Sequence, residues 1–197
     1  MKAYKILDEL TEEQNGYLRL CEATSVGVSR YAVSEYVHQN SMERVAPGVY
    51  ITEAAWEDRL FLLQIRNRQI IFSHETALYI HGLSDRESFS PVITVARGYN
   101  AKHIKDDGVI VHTASKDLFE LGLTEAKTFV GNMIRVYDRE RCICDIVKRK
   151  KQMDIQIFQT AIRSYFRDRN KDIHRLMEYA GKMKVEERVR QYVEVLL

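Results

Sequence analysis

Several groupings in this 197-residue sequence carry side chains that could do chemistry, and each is decided by spacing. His74-Glu75 comes first. A zinc hydrolase places histidines at i and i+4 on one helical face, with a glutamate between them as general base. Here position 78 is leucine, and the next histidine is His81, at i+7. The ligand pair is missing, and His81 reads better as a ring closing a helix end, where a donor meets the negative end of the dipole. Cys142 and Cys144 could ligate a metal, but residues two apart on a helix point about 200° apart. No matching cysteine–histidine pair stands elsewhere, so Cys142 reads as core. Asp106-Asp107 with Glu120 or Glu125 could form an acidic nuclease site. The run Asp106-Asp107-Gly108 is better explained as a turn before a strand. These readings leave no catalytic residue, no metal and no cofactor to expect.

Binding chemistry is better represented. Lys148-Arg149-Lys150-Lys151 is the densest basic run. It reads either as a solvated helix end favoured by the dipole or as a phosphate clamp, which Arg163, Arg167, Arg169 and Arg175 could extend. A second set surrounds a glycine turn: Ser29, Arg30, Tyr31, Ser34 and His38, with Arg44 further on. Ser29 stands at an N-cap position, where backbone N–H groups meet phosphate. Arg30 and Tyr31 are the expected base or phosphate contacts. Arg44 could enter a minor groove or touch backbone.

The elements that must position this second set follow from periodicity. Lys2 to Glu13 reads as a helix with Tyr4, Ile6, Leu7 and Leu10 on its apolar side. Asn15-Gly16 is a turn. Leu18, Leu20, Ala23 and Val26 then suggest a second helix, broken by Gly27 as a tight helix-turn-helix requires. Ala32, Val33, Tyr36 and Val37 form one face of the next helix, and Arg30, Tyr31, Ser34, Glu35 and His38 form the other. Met42 to Val45 and Val49 to Ile51 flank Pro47-Gly48 as a two-stranded wing. This is the order of a winged helix-turn-helix, whose second helix enters a DNA major groove.

Beyond Thr52 a connecting helix is expected through Ala54, Trp56, Leu60, Phe61, Leu63 and Ile65. Ile70-Ile71-Phe72 is a short apolar run, and Ser73 caps a helix that Gly82 ends. Strands are expected at 91–97, 108–113 and 133–137, with 114–130 ambiguous. Amphipathic helices follow at 138–151, 154–169, 173–180 and 185–196. The expected fold class is α/β (α+β). A winged helix-turn-helix over 1–52 precedes a C-terminal domain over 53–197 with a small sheet and several helices, joined through 53–72.

Charge sharpens the division. Residues 1–52 carry net −2, residues 53–137 net −1 and residues 138–197 net +5. Phosphate neutralisation supplies much of the affinity for DNA, so the basic final third is expected either to share that contact or to dock an acidic partner. No apolar run approaches the 18 residues of a membrane span and no signal-peptide core opens the chain. Three cysteines at uninformative spacings fit a reducing compartment, so a cytoplasmic location is expected.

In order, four segments resemble the AbiEi family of antitoxins. They are Gly27-Val28-Ser29-Arg30, Glu43-Arg44-Val45-Ala46-Pro47-Gly48-Val49-Tyr50, the run from Ser73 through His74, Ala77, Leu78 and His81-Gly82-Leu83, and Asp138-Arg139-Glu140-Arg141-Cys142-Ile143-Cys144-Asp145. The resemblance implies a phage abortive-infection, type IV toxin–antitoxin system. It implies that the winged domain binds inverted repeats in operator DNA upstream of its operon and represses it, while the C-terminal domain supplies antitoxicity. The paired toxin would resemble a nucleotidyltransferase and be opposed without a stable complex. The chain departs from a typical DNA-reading helix in presenting Glu35 and a single arginine. The alternative is a protein-binding adaptor whose helix-turn-helix never touches DNA.

Overall fold

The computed structural model describes residues 2–197. The chain packs as two units, residues 1–66 with 127–132, and residues 67–126 with 133–197. It is a mixed α/β protein with two small sheets.

The first unit begins with α1 (Lys2–Glu13), which buries Leu7 and Thr11. Asn15 and Gly16 then take positive φ, 52° and 87°. A Cβ on Gly16 would lie 2.5 Å from the Ala55 Cβ, so both conformation and space demand glycine there. This turn delivers β1 (Tyr17–Arg19) in extended form. The helix expected from Gly16 onward is therefore shorter, and α2 covers only Leu20–Ser25. Tertiary bonds override the helical spacing. The Tyr17 hydroxyl donates to Trp56 O at 3.1 Å and accepts from Asp58 N at 2.7 Å.

Gly27, at φ 87°, turns the chain into α3 (Arg30–Gln39). The wing is β2 (Glu43–Ala46) and β3 (Val49–Ile51). Both β1 and β2 pair antiparallel with β3, in the order β1-β3-β2. The expected two-stranded wing is thus a three-stranded sheet. Leu7, Leu18, Ala23, Val28, Val33, Tyr36 and Met42 close the core beneath α3.

The helix expected from Thr52 starts later, as α4 (Arg59–Arg66). Asp58 explains the start. Its Oδ1 accepts from Phe61 N at 3.0 Å, as an N-cap does. Its Oδ2 accepts from Thr128 Oγ1 at 2.5 Å and Asn132 Nδ2 at 2.9 Å, tying the 127–132 segment into this unit. The first unit thus extends past the Thr52 boundary read from the sequence.

The second unit runs β4 (Ile71–Phe72), α5 (His74–Ile80), β5 (Val92–Ala96), α6 (Lys102–Asp106), β6 (Ile110–Ala114), α7 (Lys116–Phe119), β7 (Leu123–Lys127) and β8 (Met133–Tyr137). Helices α8 (Arg139–Arg149), α9 (Ile155–Arg167), α10 (Ile173–Lys182) and α11 (Glu186–Leu196) complete it. The sheet order is β6-β5-β4-β8-β7. The central strand is β4, antiparallel to β5 and parallel to β8. It is only two residues long, yet Ile71 and Phe72 are wholly buried. The ambiguous stretch 114–130 resolves into α7 and β7.

Helix α8 is buried from Glu140 to Val147. Asp138, Asp154 and Asp172 cap α8, α9 and α10 through side-chain oxygens that accept backbone N–H groups. Ser73 departs from expectation. It occupies the N-cap position of α5 but makes no capping bond. Its hydroxyl instead accepts from Thr94 Oγ1 at 2.9 Å and lies 3.0 Å from His74 Nδ1.

Candidate nucleic-acid interface

The first candidate surface is the outer face of α3. Ser29 accepts from Ala32 N at 3.2 Å, satisfying an otherwise unpaired donor of the first turn. Val33 and Tyr36 point inward and are buried. Tyr36 is held from behind, donating to Asp8 Oδ1 at 2.7 Å and packing edge-on to Tyr4. That burial turns Ser29, Arg30, Tyr31, Ser34, Glu35 and His38 to solvent. Tyr31 is 75% exposed.

Arg44 stands on β2, opposite Tyr50, and is exposed. Its Nε donates weakly to Ala46 O at 3.4 Å, beside a register shift between Arg44 and Ala46. Arg66 donates to Val45 O at 2.7 Å, joining α4 to the wing strand. The fold thus brings Ser29, Arg30, Tyr31, Ser34 and His38 onto one helix of the first unit, with Arg44 on its wing.

Lys148 to Lys151 belong to the second unit. Lys148 and Arg149 end α8, and Lys150 and Lys151 continue into a 3-10 turn, Lys150–Gln152. All four are exposed. They line a cleft of about 490 Å³ together with Val147, Gln152 and three residues of α11, namely Arg188, Gln191 and Tyr192. Lys150 Nζ donates to Tyr192 Oη at 3.0 Å and lies over the Phe158 ring at 5.3 Å. The α11 residues were not legible as a site. Tyr192 falls on the apolar period of its helix, and Arg188 is an ordinary exposed cation in sequence terms. Arg163, Arg167, Arg169 and Arg175 do not line this cleft.

The remaining constellations are structural in their geometry. Among the described residues no group of three His, Cys, Asp or Glu side chains could hold a metal ion. Cys142 and Cys144 are buried, and their thiols face Tyr137 O and Leu176 O respectively. Burial pushes both thiols up, away from the reactive thiolate. Asp106 ends α6 and Gly108 turns the chain at φ 77°. His81 follows the last residue of α5, and its Nε2 donates to Tyr137 O at 2.7 Å. His74 is buried against His112 with ring centroids 4.0 Å apart. Burial, then nearby Arg149 and Arg141, hold His74 down to about 3; burial and His74 itself hold His112 down to about 3.

No helix among the described residues is long and apolar enough to cross a membrane. Among solved structures, the chain is similar to the RV2827C protein from Mycobacterium tuberculosis. The two share 12% identity over 98% of this chain and 80% of that chain, with a TM-score of 0.49. No curated protein matches. Residues 5–52, spanning α1 through the wing, match the family described as AbiEi antitoxin transcriptional regulators. Over this N-terminal segment, about a quarter of its length, the chain is similar to the AbiEi antitoxin family of transcriptional regulators.

Proposed function

We propose that this regulator binds operator DNA at inverted repeats upstream of its own operon, represses that operon, and acts as the antitoxin of a type IV pair. The observation that carries the DNA reading is the outer face of α3. A capped helix N-terminus presents Arg30 and Tyr31 to solvent while the opposite face is locked into the core. In this reading α3 lies in the major groove with Ser29 on a phosphate, and Ser34 and His38 further along the groove. Arg44 on the wing meets the neighbouring backbone or minor groove. Lys148, Arg149, Lys150 and Lys151 supply phosphate contact that the slightly acidic N-terminal segment lacks. No step of this function requires catalysis. The nucleotidyltransferase-like toxin is opposed without a stable complex.

The test is an electrophoretic shift of the full chain on its upstream DNA at two salt concentrations. Replacing Arg30 and Tyr31 with alanine should weaken operator binding at least tenfold, about 1.4 kcal/mol. Toxin neutralisation in cells should persist. Unchanged binding would reject α3 as the reading helix. No binding by the unaltered chain at either salt concentration would favour a protein-binding adaptor instead.

A further inference from the structure

The cleft between the end of α8 and α11 has a composition that the helix dipole does not explain. The dipole favours cations in the last turn of α8, which accounts for Lys148 and Arg149. It does not account for Arg188, which arrives from α11, or for Lys151, which lies beyond the helix end. Five cations line one concavity, and no carboxylate does.

Their engagements differ. Lys150 is committed, donating to Tyr192 Oη and sitting over the rings of Phe158 and Tyr192 at 5.3 and 5.7 Å. Arg149 donates to the neutral Gln152 Oε1 at 2.9 Å, which leaves its charge uncompensated. Lys151 and Arg188 make no ion pair or hydrogen bond among the described residues. Two like charges about 4 Å apart repel by about 1 kcal/mol even in water, and the repulsion weakens with distance. A bound polyanion would convert that repulsion into attraction.

Shape selects the polyanion. A volume of about 490 Å³ falls inside the usual range of small-ligand sites, roughly 300–1,000 Å³. A duplex spreads its charge along a convex rod, about one charge per 1.7 Å of axis. A triphosphate chain concentrates its charge within a few ångströms.

We infer that this cleft is a binding site for a triphosphate chain, carried either by a nucleoside triphosphate or by inorganic tripolyphosphate. Lys148, Arg149, Lys151 and Arg188 hold the phosphates, and Lys150, pinned by Tyr192, fixes the shape of the wall. The inference rests on reading Lys148 to Lys151 as phosphate-binding residues. It does not depend on operator binding, so its test contains no DNA.

Calorimetric titration of the full chain with ATP, and separately with sodium tripolyphosphate, reads the site directly. Saturable binding of one molecule per chain is expected, and Arg188→Ala or Lys151→Ala should weaken it at least tenfold. Both side chains are exposed, so neither replacement disturbs the core. Lys105→Ala, which removes the same charge from α6, should leave the affinity within twofold. Equal affinities for the two ligands would assign the phosphate chain as the recognised group, and tighter ATP binding would add the nucleoside. The inference is overturned if neither ligand saturates, or if Lys105→Ala weakens binding as much as Arg188→Ala.

Discussion

The guanidinium carbon of Arg141 lies 4.3 Å from the centre of the Tyr137 ring, with both residues buried. The same guanidinium donates from Nη1 to Leu118 O at 2.6 Å and Leu121 O at 2.8 Å, and from Nε to Asp145 Oδ2 at 3.2 Å. One side chain of α8 thus ties the α7 turn, the end of β8 and its own next turn together. It also fixes Gly122, where a Cβ would lie 2.6 Å from the Arg141 Cβ.

Removing that guanidinium leaves two carbonyls and a buried carboxylate without their donor. Breaking one side of a buried pair costs about 3–5 kcal/mol. Arg141→Met should therefore lower stability by roughly that much in urea unfolding of the full chain. Arg141→Lys should restore little, because an ammonium cannot span the fork geometry. A loss under 1 kcal/mol for either variant would mean the network is redundant.

The paired histidines predict a pH dependence. His74 and His112 are held at about 3 in the folded chain, below the ordinary value near 6.5. The unfolded chain binds these protons first, so their contribution is complete above pH 6.5 and is lost as pH falls toward 3. For buried His74 the slope is about 1.4 kcal/mol per pH unit once the unfolded imidazole is protonated. The facing charges are Arg149, Arg141 and Asp145. Asp138 and Asp145 are raised by burial and act in the opposite sense, lending stability at low pH that is lost as pH rises through their folded values. The histidine share is isolated by comparing the full chain with a His74→Asn, His112→Gln variant between pH 6.5 and 4.5. The variant should show the flatter loss; parallel curves would remove the histidines as the cause.

Ser29 should matter to stability as well as to DNA. Its hydroxyl caps α3, and replacing such a cap with alanine costs about 1 kcal/mol. Ser29→Ala should lower the free energy of unfolding by that amount, while Ser29→Gly should cost only a few tenths of a kcal/mol. A neutral Ser29→Ala would show that the helix start is held by the Val28 and Val33 contacts alone.

Much of the candidate interface was legible because it is local. The N-cap at Ser29, the turn at Gly27, and the inward Val33 and Tyr36 with Arg30, Tyr31 and Ser34 outward all follow from a period of 3.6 and from the conformational freedom of glycine. The amphipathic C-terminal helices, and the aspartates that start three of them, were legible for the same reason.

What tertiary structure alone decided is non-local. Tyr17 to Arg19 carry a pattern compatible with helix, yet they pair with β3 because the Tyr17 hydroxyl finds Trp56 O and Asp58 N. Asp58 moves the start of α4 past Thr52 by capping Phe61 N while accepting from Thr128 and Asn132, about seventy positions away. Ile71-Phe72 becomes the central strand because β5 and β8 pair on either side of it, a placement that two residues cannot encode by period. The cleft that joins Lys148 to Lys151 with Arg188 and Tyr192 exists only once α11 packs back near the end of α8. Sequence determines local conformation and which face of an element is apolar; long-range hydrogen bonds and packing choose which of the locally allowed states survives.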